Sequence, residues 1–173
     1  MDDILYLIGW NPLRIILDSK NPKISDDELR EASRFYYRIL VNPDDYKRTT
    51  IRIVSLPFLK RGYHGITAPN KKGKPHYTIY LNTKYGYHKQ LCSLAHELVH
   101  VKQFVTGELG PTWKERGETF TRWMSKDISE TNTYYHDLPW EIEARGREYG
   151  LYRRYQMYRK QKRVGERPQP VLT

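Results

Sequence analysis

A single cysteine, Cys92, in 173 residues excludes an internal disulfide. No segment approaches the roughly 20 apolar residues of a membrane span. The first apolar stretch, Ile4 to Ile8, is short and follows Asp2 and Asp3, where a secretory signal would place basic residues. The expectation is a cytoplasmic protein with no membrane partner. The chain also lacks an internal repeat, a Gly-rich phosphate loop and a CxxC pair, so nucleotide-loop and paired-thiol chemistries have no carrier. Acidic residues are in deficit, with 20 Asp and Glu against 30 Lys and Arg and a net charge of +10.

What is abundant is tyrosine, at 15 residues, with an apolar content of only 38%. That balance predicts a core trimmed with amphipathic rings in place of aliphatic bulk. The length suits one domain, expected over residues 1–163 with a flexible tail over 164–173. The positive charge is uneven: from Arg145 to Arg167 nine Lys or Arg stand against Glu148 and Glu166, a net of +7, which leaves +3 for the rest. Tyr149, Tyr152, Tyr155 and Tyr158 are interleaved there with Arg153, Arg154, Arg159 and Lys160, followed by Lys162 and Arg163. Rings and cations in that pattern can stack bases and neutralise phosphates, so these six basic residues are candidate nucleic-acid contacts. The plainer alternative is a solvated helix face, with Tyr149 and Tyr152 packed on a sheet.

His96-Glu97-Leu98-Val99-His100 is the most informative segment. Residues four apart on a helix lie one turn apart on one face, so both imidazoles can reach one zinc ion. Glu97 points beside them, where it can take a proton from water that the metal acidifies towards a pKa of about 7. Such a short motif arises by chance in many chains, and its context decides. Leu91, Leu94, Ala95, Leu98, Val101 and Val105 recur at helical spacing, no Pro or Gly interrupts Tyr87 to Thr106, and Gly107 supplies a stop. A catalytic zinc usually takes a third protein ligand. The long metzincin motif is absent, because Gln103 and Thr106 stand where it needs Gly and His. Leu138-Pro139-Trp140-Glu141-Ile142-Glu143-Ala144 reads as a helix start, which offers Glu141 and Glu143. His136, flanked by Tyr135 and Asp137, reads first as a loop residue facing water; it is otherwise a further candidate ligand, or with Tyr134 and Tyr135 a donor to a developing oxyanion. Cys92, one turn before His96, can approach the same point or serve as a buried thiol.

The combination of His-Glu-Leu-Val-His-Val-Lys-Gln-Phe with Leu-Pro-Trp-Glu-Ile-Glu-Ala resembles the gluzincin metallopeptidases, and more closely small metallopeptidases encoded by bacteriophages, over roughly residues 76 to 152. The resemblance implies zinc as cofactor, His96, His100 and Glu141 as its ligands with Glu143 as runner-up, Glu97 as general base, and a protein or peptide substrate. It places the protein in a host cytoplasm or a virion. Arg116-Gly117-Glu118-Thr119-Phe120 is similar to the segment that carries the last histidine in SprT-like proteases, but Arg116 occupies the ligand position and a guanidinium cannot coordinate zinc. The alternative function is a nucleic-acid-associated or virion protein with a structural or vestigial zinc site.

The expected fold is α+β and zincin-like, a minimal gluzincin with a small, mostly antiparallel sheet, an HExxH helix and a C-terminal glutamate helix. Ser25 and Glu28 form a capping box for a helix to about Val41, which Asn42-Pro43 ends. Ile4 to Leu17 is a short helix or strand. Thr49 to Leu56 alternates as a strand, and Tyr63 to Thr67 and Tyr77 to Asn82 read as two further strands, the last expected by resemblance to be the edge that pairs with extended substrate. Gly110 to Tyr135 reads as a hairpin or short helix, and a long helix follows from Trp140 to about Arg163.

Overall fold

A computed structural model describes residues 13–70 and 75–165. The expectations for Ile4 to Pro12, for 71–74 in the loop between strands and for 166–173 in the tail fall outside those residues. Element order is β1 (Arg14–Leu17), α1 (Asp26–Leu40), α2 (Pro43–Arg48), β2 (Thr50–Leu56), β3 (Gly65–Pro69), β4 (His76–Asn82), α3 (Tyr87–Val105), β5 (Leu109–Glu115), β6 (Glu118–Trp123), β7 (Lys126–Ser129) and α4 (Pro139–Val164). The fold is α+β. Among the described residues, no helix is long and apolar enough to cross a membrane.

Local chemistry sets the boundaries. Ser25 Oγ accepts the Glu28 backbone N–H at 3.3 Å and opens α1. The reverse half of the capping box is spent elsewhere, because Glu28 Oε1 accepts from Tyr87 and Arg159. Asn42 Oδ1 then caps α2 through the Asp44 and Asp45 N–H groups. α3 ends at Thr106, and Gly107 takes the left-handed conformation at φ 73° that terminates a helix without a Cβ penalty.

The main sheet has the order β1-β2-β4-β3. β1, β2 and β4 run parallel, and only β3 is antiparallel to its neighbour. This corrects the expectation of a mostly antiparallel sheet. The connection from β1 to β2 passes through two helices, and a helical crossover returns the chain to the same end of the sheet. It also moves the edge: β4 lies inside between β2 and β3, so the exposed strand beside the motif helix is β3, not Tyr77 to Asn82. Most of the segment expected as a hairpin or short helix is a separate antiparallel meander, β5-β6-β7, from Leu109 to Ser129. Its two-residue turns, Arg116-Gly117 and Met124-Ser125, all have positive φ, the backbone hand that two-residue hairpins prefer. The segment similar to SprT-like proteases is therefore a hairpin tip.

The core lies on one face of the main sheet. Ile51, Ile53, Ile79 and Leu81 meet Leu91, Leu94, Ala95, Leu98 and Val99 of α3, all 0–1% exposed. At roughly 1.5–3 kcal/mol for each large aliphatic side chain, this packing holds α3 on the sheet. α3 also contacts α1 and α4. Phe35, Tyr36, Tyr155 and Tyr158 form an aromatic cluster between α1 and α4, with ring centroids 5.0–6.3 Å apart.

Candidate metal centre

His96 and His100 project from α3 and Glu141 from the first turn of α4. Their ligand atoms all lie within 4.8 Å of one another. The two Nε2 atoms are 3.1 Å apart; Glu141 Oε2 is 3.4 Å from His96 Nε2 and its Oε1 is 3.4 Å from His100 Nε2. Glu143, the other candidate, points elsewhere. Its carboxylate accepts from Lys102 Nζ at 2.9 Å and Gln103 Nε2 at 3.0 Å and pairs with Arg147 at 2.8 Å. These partners hold it below the usual carboxylate range despite burial.

The outer ring nitrogens fix how the histidines present themselves. Gln103 is fully buried, and its Nε2 donates to the Trp140 carbonyl and to Glu143, each at 3.0 Å. Its Oε1 therefore faces His100 Nδ1, 2.8 Å away, which must carry the proton. His96 Nδ1 lies 2.8 Å from Glu148 Oε2 and donates in the same way. Both Nε2 lone pairs are thus aimed at one point, the arrangement by which outer partners orient metal-ligating histidines.

The donor set fits a divalent cation. Two imidazole nitrogens at 3.1 Å repel unless a proton or metal lies between them, and the buried Glu141 Oε2 makes no hydrogen bond. Burial works to lower the His96 pKa, but the Glu141 carboxylate 3.4 Å from its Nε2 and the Glu148 carboxylate on its Nδ1 raise it to about 9. For Glu141, burial works towards a higher pKa and is outweighed by the two imidazoles, which hold it well below the usual carboxylate range. Two imidazoles and one carboxylate form a group that could hold a metal ion.

Glu97 sits where α3 meets β3, only 5% exposed. Thr67 Oγ1 donates to Glu97 Oε2 at 2.8 Å. A Cβ at Gly65 would fall 2.7 Å from Glu97 Oε1, so only glycine lets the strand approach this closely. Burial raises the Glu97 pKa, while His100 and His96 oppose the rise.

The remaining candidates divide. Tyr135 is close to Glu141, and burial followed by that carboxylate pushes its phenol up. Arg145 lies 5.6 Å above the Tyr135 ring and 3.9 Å from Glu141 Oε2. Tyr134 is 67% exposed, and His136 is exposed and stacks edge-on against Tyr134 and Tyr135. Cys92 packs partly buried against the core and is not in the ligand group. On the basic helix, Arg159 bonds Glu28 and Tyr87, and Lys162 bonds Glu31 at 2.6 Å. Arg153, Arg154, Lys160 and Arg163 are exposed. Tyr152 and Tyr155 are buried against helices and Tyr158 packs beside them, whereas Tyr149 is 63% exposed and does not pack on the sheet as expected.

Sequence reasoning missed Gly65, Thr67, Gln103 and Glu148. Two carried a readable signal: a lone glycine in a strand marks close approach, and Gln103 lies three after His100 on the same helical face. Comparison with family models, with curated proteins and with solved structures gave no match in any of the three.

Proposed function

We propose that this chain is a zinc-dependent metallopeptidase of gluzincin type that hydrolyses peptide bonds. The observation that carries the reading is the convergence of two Nε2 lone pairs, each fixed from behind, with a buried carboxylate that lacks a hydrogen bond. When bound, zinc would polarise a peptide carbonyl and acidify water. His96, His100 and Glu141 would hold the ion. Glu97, kept in place by Thr67, accepts the proton of the attacking water and passes it to the leaving amine. Its raised pKa suits both halves of that transfer. Tyr135 is the best placed residue to donate to the developing oxyanion, since it lies beside Glu141.

Metal content of protein purified without added metal tests the site, with Glu141→Ala and Glu143→Ala in parallel. About one zinc per chain is expected, lost in Glu141→Ala and retained in Glu143→Ala. Glu97→Gln should keep the metal and lower hydrolysis by roughly 100-fold or more. Full activity in that variant would sink the mechanism.

A further inference from the structure

α4 has a second apolar side. Trp140, Ala144, Leu151, Tyr152 and Tyr155 face the interior, but Ile142, Tyr149, Met157 and Val164 are 55–64% exposed on the opposite side. Their spacings of seven, eight and seven residues stay near the repeat that keeps a seam facing a partner helix. The seam is about 33 Å long. Gly146 and Gly150 lie on the same side, and nothing stands within 4 Å of the Cβ that either lacks. Glycine is the poorest helix former after proline, and packing within the described residues does not call for it here. An open glycine pair lets a second backbone approach closely.

The charge on this side has one sign. Arg153 and Lys160 lie within the seam and Arg163 beside it, all exposed. The three acids of α4 are engaged elsewhere: Glu141 and Glu148 with the histidines, Glu143 with Lys102 and Gln103. A depression of about 420 Å³ around Met157 is lined by Arg153, Gln156, Lys160 and Arg163 among others.

We propose that the outer face of α4, from Ile142 to Val164, docks an acidic, amphipathic helical segment of another protein. Charge complementarity selects the acidic partner. A second copy would bring two positive seams together, and a nucleic acid would leave Ile142, Met157 and Val164 without apolar contact. Because Ile142 directly follows Glu141, a docked segment lies alongside the metal centre. The surface itself does not depend on the ion.

The test uses the full chain and a labelled amphipathic peptide of about 22 residues, matching the seam, with leucine along one face and glutamate flanking it. Its lysine-flanked twin and a duplex DNA of similar charge serve as competitors. We expect saturable binding of the acidic peptide, weakened about tenfold or more by Tyr149→Glu with Met157→Glu, while circular dichroism and metal content stay unchanged. Gly150→Gln should weaken binding yet raise the melting temperature, a pair of opposite effects that general damage to the fold cannot produce. The proposal is overturned by no saturation at about 100 μM peptide, by equal binding of the twin, by DNA that competes and ignores the double substitution, or by self-association through this face.

Discussion

His96 shows how strongly a single residue is conditioned by its surroundings. Its imidazole lies between Glu148 on one nitrogen and Glu141 near the other, and these carboxylates overcome burial to raise its pKa from 6.5 to about 9. A raised pKa means that the bound proton stabilises the folded metal-free protein fully below pH 6.5, and that this stabilisation is lost as pH rises through about 9. The melting temperature of metal-free protein should therefore fall across that window, while zinc affinity rises over the same range because the ion must displace the proton. A flat melting temperature would mean the imidazole is not held as described. The inner residues of this site were legible in the sequence because His96, Glu97 and His100 lie within one helical turn. The second and third layers were not. Glu148 is 52 positions from His96 and Thr67 is 30 from Glu97, and only the packing of whole elements brings such pairs together.

At the scale of elements, β3 decides where the Glu97 carboxylate stands. Gly65 and Thr67 share the face that meets α3, one by having no side chain and the other by donating a hydrogen bond. Gly65→Ala would place a methyl group 2.7 Å from Glu97 Oε1 and 2.8 Å from its Cγ. The carboxylate has to move, and a displacement of about 1 Å costs roughly 100-fold in rate. We expect that loss in hydrolysis with zinc content unchanged; equal loss of both would place the fault in the fold. The three long helices were legible from periodicity and caps, but α2 was not, since Asn42-Pro43 reads as the end of α1 and instead caps a further helix. Strand order was not legible either, because alternation in 50–56 shows which face is buried and carries nothing about which strand lies beside which.

For the whole molecule, α4 has three tasks. It supplies Glu141, it fills the core with Tyr155 at 0% exposure, and it ties down α1 through Arg159 with Glu28 and Lys162 with Glu31. The excess of positive charge toward its far end is therefore partly structural, and a truncation from residue 153 would remove core as well as charge. The ligand set is divided between α3 and α4, with Glu141 41 positions after His100 in the chain. An ion bound there is a clasp between two helices, and it opens fully only when they part. Loss of the ion and local opening then share one coordinate, so the rate at which a chelator strips the protein should follow amide exchange in the first turns of α4. Removal of the ion should quicken that exchange while leaving the amides of β2 and β4 nearly untouched. The metal would then act as a timer for the life of its own site as well as the source of its chemistry.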